Sequence, residues 1–252
     1  RWSERWKGWG VPTWVSPDGK KARGVGVAGA GHCDTGGKPS NANVTITGLG
    51  AVYVSSCMAD FGAGTREILQ KVAAEELDVP LEKIRVTPAD TGVTPPDFGS
   101  TGSRSTYCGG IVAVRAAKDL KKKLFALASE KLGVPAEDLG IRDGSLYRLS
   151  NPQETYPLAP RVMGKVDSVV GNGHFDGDHD FTMYNLQFVE VEVDKEDGTF
   201  EVKDLFIGAD AGRVINPLGT KNQLDGFLAG LGLVTFEETI FDEHNNRVLN
   251  PS

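Results

Sequence analysis

The clearest pattern along the chain is an alternation of apolar and polar residues, which predicts β-strands with one buried face. Two of the alternating segments are joined by Gly48-Leu49-Gly50, and a short glycine-rich connection of this kind predicts a hairpin. Asp143-Gly144 indicates a second, smaller hairpin in the same way. The segments with strand character are 22–30, 43–47, 51–56, 83–87, 141–149, 183–194 and 199–208.

Apolar residues recur at helical spacing elsewhere, directly after two glycine-rich loops. This spacing predicts an amphipathic helix over 65–77 and a long helix over 106–132. Gly133 follows the second helix and suits the left-handed conformation that often ends one. A third helix is predicted over 218–233, whereas residues 150–165 are predicted to form a loop. The apolar set of the first helix is Ile68, Leu69, Val72, Ala73 and Leu77.

The order of these elements predicts the fold class. Two helices are each followed by Val-Pro, one helical turn and a strand, at 77–84 and again at 132–139. Proline suits the first position of a helical turn because its missing N–H would be unpaired there. This order predicts an α+β fold with mixed sheets and packed helices. We expect two lobes, 1–160 and 161–252, and, because the chain does not begin with Met, a piece of a longer polypeptide.

Charge and composition exclude several classes of protein. The chain has 252 residues, with 27 basic and 34 acidic ones, a formal charge of −7, which argues against nucleic-acid or anionic-membrane partners. No segment approaches the ~18–20 apolar residues of a membrane helix, and the first ten residues contain no apolar signal region. Cys33, Cys57 and Cys108 lie far apart. We therefore expect no zinc or iron–sulfur cluster in this chain, no disulfide framework and a cytoplasmic location.

Glycine accounts for 32 of 252 residues, nearly twice the usual ~7%, and several glycines stand directly before a predicted helix. After Asp60, Gly62 and Gly64 allow an anion to approach backbone N–H groups that have no helical partner. The loop 102–106 adds three hydroxyls and the guanidinium of Arg104, a group that favours phosphate. Two such helix starts predict either a ligand with more than one phosphate or one elongated, nucleotide-like cofactor, in one cleft that both loops face.

Each loop also has a plain structural interpretation, which the sequence leaves open. The glycines then form a tight turn, the serines of the second loop cap its helix, and Arg104 pairs with a carboxylate such as Asp97. The chain contains no Walker A motif and no complete dinucleotide-binding fingerprint. The acidic segment 174–180 lacks the residue order of an EF-hand and is predicted to be a solvated loop, so no metal ligand is assigned.

Seven short motifs occur in a fixed order along most of the chain. They are Asp60-Phe-Gly-Ala-Gly-Thr65, Ala73-Ala-Glu-Glu-Leu77, Asp90-Thr91, Gly102-Ser-Arg-Ser-Thr106, Phe188-Val-Glu-Val-Glu-Val-Asp194, Asp210-Ala-Gly-Arg-Val-Ile-Asn-Pro217 and Gln223-Leu-Asp-Gly226. Together they resemble the molybdenum-cofactor-binding subunit of the xanthine dehydrogenase/aldehyde oxidase family of molybdenum hydroxylases. The resemblance covers residues 20–250 and implies the second molybdenum-cofactor-binding domain, in the C-terminal half of the large subunit.

The resemblance implies that both glycine-rich loops hold molybdopterin with molybdenum, often as a cytosine dinucleotide, and that a glutamine at a helix start makes a third contact. Ala63 stands where the family usually has a glutamine, which removes one hydrogen-bond donor from the first loop. The segment 226–232 is one residue shorter than the family pattern. The implied cofactor contacts are Phe61, Gly62, Ala63, Gly64, Ser103, Arg104, Ser105, Thr106 and Gln223.

The resemblance also implies an oxidoreductase that hydroxylates an electron-poor carbon, with water as the oxygen source. The implied substrates are N-heterocycles, aldehydes or aromatic acyl thioesters. The implied partners are the rest of the molybdenum subunit, an iron–sulfur subunit with 2Fe-2S clusters and an FAD subunit. The family's glutamate general base lies beyond Ser252, so no catalytic residue is assigned in this chain.

Three alternatives to hydroxylation stay open at this point. One is reductive dehydroxylation of a hydroxyaryl acyl thioester. Another is a non-catalytic cofactor-binding or scaffold subunit, which the replacement of the glutamine by Ala63 motivates. The third is a bare phosphate-binding module.

Overall fold

The computed structural model describes residues 2–34, 38–158, 162–163, 168–177 and 181–250. It divides into a central unit, Gly31–Met183, and a terminal unit, Arg1–Ala30 with Tyr184–Ser252. The predicted lobe boundary between residues 160 and 161 lies outside the described residues and stays a prediction. The helices are α1 (Trp2–Arg5), α2 (Thr65–Leu77), α3 (Ser105–Leu132), α4 (Pro217–Asp225) and α5 (Phe227–Thr235). The strands are β1 (Trp14–Val15), β2 (Lys21–Asp34), β3 (Ser40–Thr47), β4 (Val52–Ser55), β5 (Ile84–Val86), β6 (Leu139–Arg142), β7 (Ser145–Arg148), β8 (Asn151–Tyr156), β9 (Ser168–Phe175), β10 (Phe181–Asp194) and β11 (Phe200–Asp210).

The central unit is built on a four-stranded sheet with the order β5-β4-β3-β9. β3 runs antiparallel to β4 and β9, while β4 runs parallel to β5. Buried and partly exposed residues alternate along the whole of β3, because Ala42, Val44 and Ile46 face the core. A mixed sheet with helices packed on it confirms the predicted α+β fold class.

α3 lies directly on β9, with almost no side-chain volume between the two backbones. A Cβ added at Gly171 would stand 2.1 Å from the carbonyl oxygen of Ala116, and one at Gly173 would stand 2.0 Å from that of Val112. Both glycines are therefore required by the position of the helix. Small, fully buried side chains keep the facing surface of α3 equally thin, namely Ala113, Ala116 and Ala117.

α2 and α3 run side by side in the same direction. Near their beginnings, a Cβ added at Gly109 would lie 3.5 Å from Leu69 Cδ2. Farther along, the ammonium of Lys121 lies 2.5 Å from the carboxylate of Glu76 and donates to the Glu76 carbonyl oxygen at 2.8 Å. The N-termini of both helices, and the loops before them, therefore lie at the same end of the central unit.

The predicted long helices are confirmed, α2 at both ends and α3 to within one residue. α3 ends as predicted at Gly133, which has φ 68° and donates its N–H to the carbonyl oxygen of Ser129 at 2.9 Å. Each Val-Pro sequence opens a single 3-10 turn, Leu81–Lys83 and Ala136–Asp138, that leads into a strand. The repeated helix–turn–strand pattern is thus also confirmed.

Two strands of the central unit lie where the sequence predicted a loop or no element. β8 falls inside the predicted loop 150–165; it is an edge strand in the sheet β6-β7-β8 and is mostly exposed. An edge position explains why it tolerates Pro152. β9 has glycine at two of its inward positions, 171 and 173, so the apolar alternation that would reveal a strand is missing.

The terminal unit contains a second four-stranded sheet, with the order β1-β2-β10-β11. β10 and β11 are the predicted pair of long strands and run antiparallel. α1 is attached to this sheet by an aromatic contact and an ion pair. The ring of Trp2 stacks on that of Phe188 with centroids 5.7 Å apart, and Arg5 lies 2.7 Å from the carboxylate of Asp204.

The segment 218–233, predicted as one helix, forms the two helices α4 and α5, which meet at Gly226. The prediction of a single helix was wrong because Gly226 separates two helices, although apolar residues continue at helical spacing on both sides of it. α5 consists of apolar residues, glycine and one threonine, and none of its residues is buried. Among the helices of the described ranges, none combines the length and the apolar content that crossing a bilayer requires.

The contact between α3 and β9 predicts a large difference between two glycine-to-alanine substitutions. Gly173→Ala places a methyl group inside the α3 backbone, so we expect a loss at or above the ~1–3 kcal/mol typical of overpacking. Gly110→Ala is the control, because an added Cβ there has no neighbour within 4 Å, and alanine in a helix should stabilise by about 0.5–1 kcal/mol. Thermal unfolding measures both; equal melting temperatures for the two variants would contradict the packing.

Candidate functional site

The loop before α2 wraps around one carboxylate, that of Asp60. Its Oδ1 accepts from the N–H of Gly62 at 3.0 Å and of Gly64 at 3.1 Å, and its Oδ2 accepts from the N–H of Arg66 at 3.0 Å. Gly62 with φ 107° and Gly64 with φ 78° give the loop the curvature that brings these groups together. The two glycine N–H groups that the sequence assigned to a phosphate are thus bonded to a carboxylate of the same chain.

The charge of Asp60 is stabilised by these hydrogen bonds. Burial raises the pKa of its carboxyl, but the three backbone N–H groups and the charge of Arg66 outweigh burial and hold the pKa below the ordinary 3.8. Asp60 is therefore ionised at neutral pH. A fixed negative charge at the start of α2 opposes the binding of a second anion at the same N–H groups.

The loop before α3 differs from the first loop in its capping. Among the described residues no side chain caps α3, and its first turn contains no acidic residue. Gly102 and Ser103 both adopt left-handed conformations, with φ 59° and 61°. For Ser103 this conformation costs about 1 kcal/mol or more, and strain of this kind concentrates at functional sites. The hydroxyl-bearing residues Ser103 and Thr106 are exposed and Ser105 is half-buried, so this helix start has the features of an anion site.

Arg104 lies beneath this loop and is fully buried, with 0% of its side chain exposed. Its Nη1 donates to Asp97 Oδ1 at 3.4 Å and to the carbonyl oxygen of Gly99 at 3.2 Å. Its Nη2 donates to Ser40 Oγ at 2.9 Å and also to the carbonyl oxygen of Lys38. These contacts support the structural interpretation, in which Arg104 pairs with Asp97; its direct contact with a cofactor stays a prediction.

The segments that lead into the two loops are in contact. Ser100 Oγ donates to the carbonyl oxygen of Ala59 at 2.6 Å. Behind this contact a small apolar cluster, which includes Met58, Cys108 and Phe175, joins the residues just before α2 to the first turn of α3. The structure therefore places the two loops at the same end of the central unit, although about 40 residues separate them along the chain; a cleft that both loops face stays a prediction.

The remaining predicted contacts are arranged differently. Phe61 is 74% exposed, and Ala63 lies between the two glycines of the first loop. Gln223, predicted at a helix start, instead lies in the last turn of α4 and is exposed. It belongs to the terminal unit, whereas both loops belong to the central unit.

Metal ligation has no candidate in the described ranges, where no group of three or more His, Cys, Asp or Glu side chains could hold an ion. Part of the acidic segment 174–180, residues 178–180, lies outside the described residues. Within the described part, the ring nitrogens of His174 lie 2.8 Å from Asn41 Oδ1 and 2.8 Å from Asp176 Oδ1.

The sequence analysis missed the role of Asp60, although a signal was present. An aspartate two residues before a glycine often accepts the glycine N–H in an Asx turn. This spacing recurs through the chain, and the hydrogen bond forms at Asp60 with Gly62, Asp90 with Gly92, Asp97 with Gly99, and Asp210 with Gly212. Asp138, two residues before Gly140, instead accepts from Arg148 and Ser150.

Comparison with known proteins gives consistent matches over almost the whole chain. Residues 8–252 match the family model described as "Molybdopterin cofactor-binding domain". The gamma subunit of the 6-hydroxypseudooxynicotine dehydrogenase complex of Paenarthrobacter nicotinovorans is 30% identical over 243 residues, which are 90% of this chain and 30% of that protein. The xanthine dehydrogenase molybdenum-binding subunit of Escherichia coli O157:H7 is 27% identical over 93% of this chain and 33% of its own length.

A solved structure shows the same fold. Quinoline 2-oxidoreductase from Pseudomonas putida 86 superimposes with a TM-score of 0.78 and 25% identity, over 92% of this chain and 32% of that one. The chain thus spans about a third of the length of the proteins it matches.

The hydrogen bonds of Asp60 predict a pH-dependent contribution to stability. Since its folded-state pKa lies below 3.8, the stabilisation is complete above that value and is lost as the pH falls through the folded-state pKa. Asp60→Asn replaces one acceptor by an NH₂ group, and we expect a loss of about 1 kcal/mol at neutral pH. Melting temperatures of wild type and variant should differ at pH 7 and converge in acid.

Asp225→Asn is the control for this comparison. Its carboxylate is 52% exposed and pairs with Lys221 on the same helix, a kind of pair that contributes only about 0.3–0.5 kcal/mol. A difference between Asp60→Asn and wild type that stays constant from pH 7 into acid would contradict the assigned role of the carboxylate.

Proposed function

The chain belongs to the molybdopterin cofactor-binding domain family, and from this we propose that it holds part of the molybdenum cofactor of an oxidoreductase that hydroxylates an electron-poor carbon. The family match covers residues 8–252. Since the chain spans about a third of its relatives, the activity proposed is that of a larger chain or complex. When bound, the cofactor supplies the metal centre for oxygen transfer from water and for electron acceptance.

The observation that carries the proposal is the start of α3, which fits a phosphate or pyrophosphate. In the part of the chain that the structure describes, this helix start has no side-chain cap, no acidic residue in its first turn and a strained Ser103 beside it. Backbone N–H groups at such a helix start bind anions, and the helix dipole adds to the attraction. We therefore assign the phosphate of molybdopterin, alone or within a cytosine dinucleotide, to Ser103, Ser105 and Thr106.

The first loop fits a different part of the same cofactor. Asp60 already occupies N–H groups there, so a phosphate is disfavoured, whereas a neutral, planar group is not. The ring of Phe61, 74% exposed, offers an apolar surface against which a pterin ring can lie. Phe61, Gly62, Ala63 and Gly64 are proposed to contact this uncharged part, and Gln223 to supply a further contact.

The proposed substrate is a small molecule, and the names of two of the matched proteins suggest one of the three implied classes. The names of the xanthine dehydrogenase subunit and of quinoline 2-oxidoreductase refer to N-heterocycles. The proposed partners are the rest of the molybdenum subunit, an iron–sulfur subunit with 2Fe-2S clusters and an FAD subunit, in a cytoplasmic complex. The description of two relatives as subunits supports a heteromeric assembly.

Metal and pterin analysis of the purified complex that contains this chain tests the proposal. Stoichiometric molybdenum and pterin are expected, and turnover of an N-heterocycle in isotopically labelled water should place the label in the product. A complex that contains neither molybdenum nor pterin would support the scaffold alternative, which is suggested by Ala63 in place of the family's glutamine. Loss of a hydroxyl from a hydroxyaryl acyl thioester, without uptake of label, would support reductive dehydroxylation.

The left-handed conformation of Ser103 and its assignment to the cofactor predict that two substitutions differ in their effect on stability and agree in their effect on cofactor content. Ser103→Gly removes the hydroxyl and relieves the left-handed strain, so we expect a gain of about 0.5–1 kcal/mol. Ser103→Ala removes the hydroxyl and keeps the strain, so no gain is expected. Both variants should contain less molybdenum per folded complex, and full occupancy in both would remove Ser103 from the site.

The 252-residue chain alone should bind no molybdenum. The resemblance implies that the pterin holds the metal, and the described residues contain no group of three potential ligands. Incubation of the purified chain with molybdate, followed by gel filtration and elemental analysis, measures this. Tight stoichiometric uptake would contradict the proposed division of roles between chain and cofactor.

A further inference from the structure

A buried ion pair holds the base of the loop before α3. The side chains of Asp97 and Arg104 are both 0% exposed, and their charged groups lie 3.4 Å apart. Asp97 Oδ2 has no hydrogen-bond partner in the part of the chain that the structure describes, so this carboxylate depends on Oδ1, which accepts from Arg104 and from the Gly99 N–H at 2.7 Å. A buried pair is stable only with hydrogen bonds of this kind, and loss of one partner leaves the other charge uncompensated.

The segment before this pair is held at several points. The N–H of Phe98 donates to the carbonyl oxygen of Pro39 at 3.2 Å, and Asn41 Nδ2 donates to that of Pro96 at 2.6 Å. Ser100 Oγ donates to the carbonyl oxygen of Ala59 at 2.6 Å. Residues 95–100 are therefore fixed against β3 and against the first loop.

The next three residues have much weaker support. Thr101 donates its N–H to the carbonyl oxygen of Gly99 at 3.1 Å and accepts from the N–H of Arg104 at 3.2 Å, and both contacts are local. Gly102 and Ser103, between them, adopt left-handed conformations. The side chain of Arg104, bonded to Ser40 and to the Lys38 carbonyl oxygen, is the long-range connection at the end of this strained stretch.

We propose that Asp97 and Arg104 are positioning residues for the phosphate site, because their buried pair fixes residues 102–104 in the conformation that presents the α3 start to an anion. Neither residue contacts the cofactor. This inference rests on the proposed function and changes the role of Arg104 from a phosphate ligand to a support beneath the ligands. The contacts with Lys38 and Ser40 extend the support to the beginning of β3.

The test compares Asp97→Asn with Leu124→Ala. Asp97→Asn removes the charge that Arg104 faces. Leu124 is fully buried in the second half of α3, so Leu124→Ala lowers the melting temperature from a site remote from the loop. Two quantities are measured: molybdenum per folded complex, and the rate of amide hydrogen exchange of residues 102–106 in the complex without cofactor.

We expect Asp97→Asn to reduce molybdenum per folded complex at least threefold and to accelerate exchange at 102–106 about tenfold, while Leu124→Ala changes neither. Ser40→Ala, which removes one acceptor of Arg104, should show the same effects more weakly and replaces Asp97→Asn if that variant does not fold. Equal occupancy and equal exchange rates in the Asp97 or Ser40 variant and in Leu124→Ala would overturn the inference.

The two proposals can fail separately. If the wild-type complex contains no molybdenum or pterin, the proposed function fails, and the exchange rates still decide whether the pair fixes the loop. If the wild type contains the cofactor and Asp97→Asn retains it with unchanged exchange, only the positioning role fails.

Discussion

The arrangement of the central unit depends on the direct contact between α3 and β9. At Gly171 and Gly173 the strand offers no side chain, and the helix backbone occupies the space where Cβ atoms would be. A contact of this kind has little tolerance, because interiors are close-packed and cannot absorb even small added volumes. The contact therefore fixes the distance of α3 from β9 and the direction of its axis. It also fixes the position of the first turn of α3, where the proposed phosphate site lies.

The two helix starts, alike in sequence, differ in charge. α2 and α3 are parallel, so their dipoles point the same way and both N-termini carry partial positive charge at one end of the unit. At α2 this positive charge is neutralised by the carboxylate of Asp60, which accepts hydrogen bonds from the backbone there. The first turn of α3 contains no acidic residue. A ligand that spans both loops therefore lies beside a carboxylate at the start of one helix and beside a first turn without one at the other, which favours one direction of binding for a molecule with one charged end.

Local sequence patterns were sufficient to predict some elements of the fold. Other features depend on contacts between residues that lie far apart along the chain. α2 and α3 were predictable because their apolar residues recur at helical spacing and because Gly133 marks an end. β9 was not predictable, since the glycines at its inward positions are explained only by the contact with α3. Arg104 looked like a phosphate ligand from residue type alone, and its burial is decided by Lys38 and Ser40, more than 60 positions earlier. The Asx turn at Asp60, in contrast, was local and readable.

The left-handed Ser103 has a consequence for binding thermodynamics. A flexible loop that closes on a ligand loses conformational entropy at the moment of association, and this loss subtracts from affinity. Residues 102 and 103 adopt their unusual conformations between Ser100 and Arg104, whose side chains bond to Ala59 and Ser40, so the fold itself holds them and their entropy is lost during folding. Association of an anion with this loop should then be limited mainly by desolvation, with a small unfavourable ordering term and a heat-capacity change that reflects the ligand more than the protein.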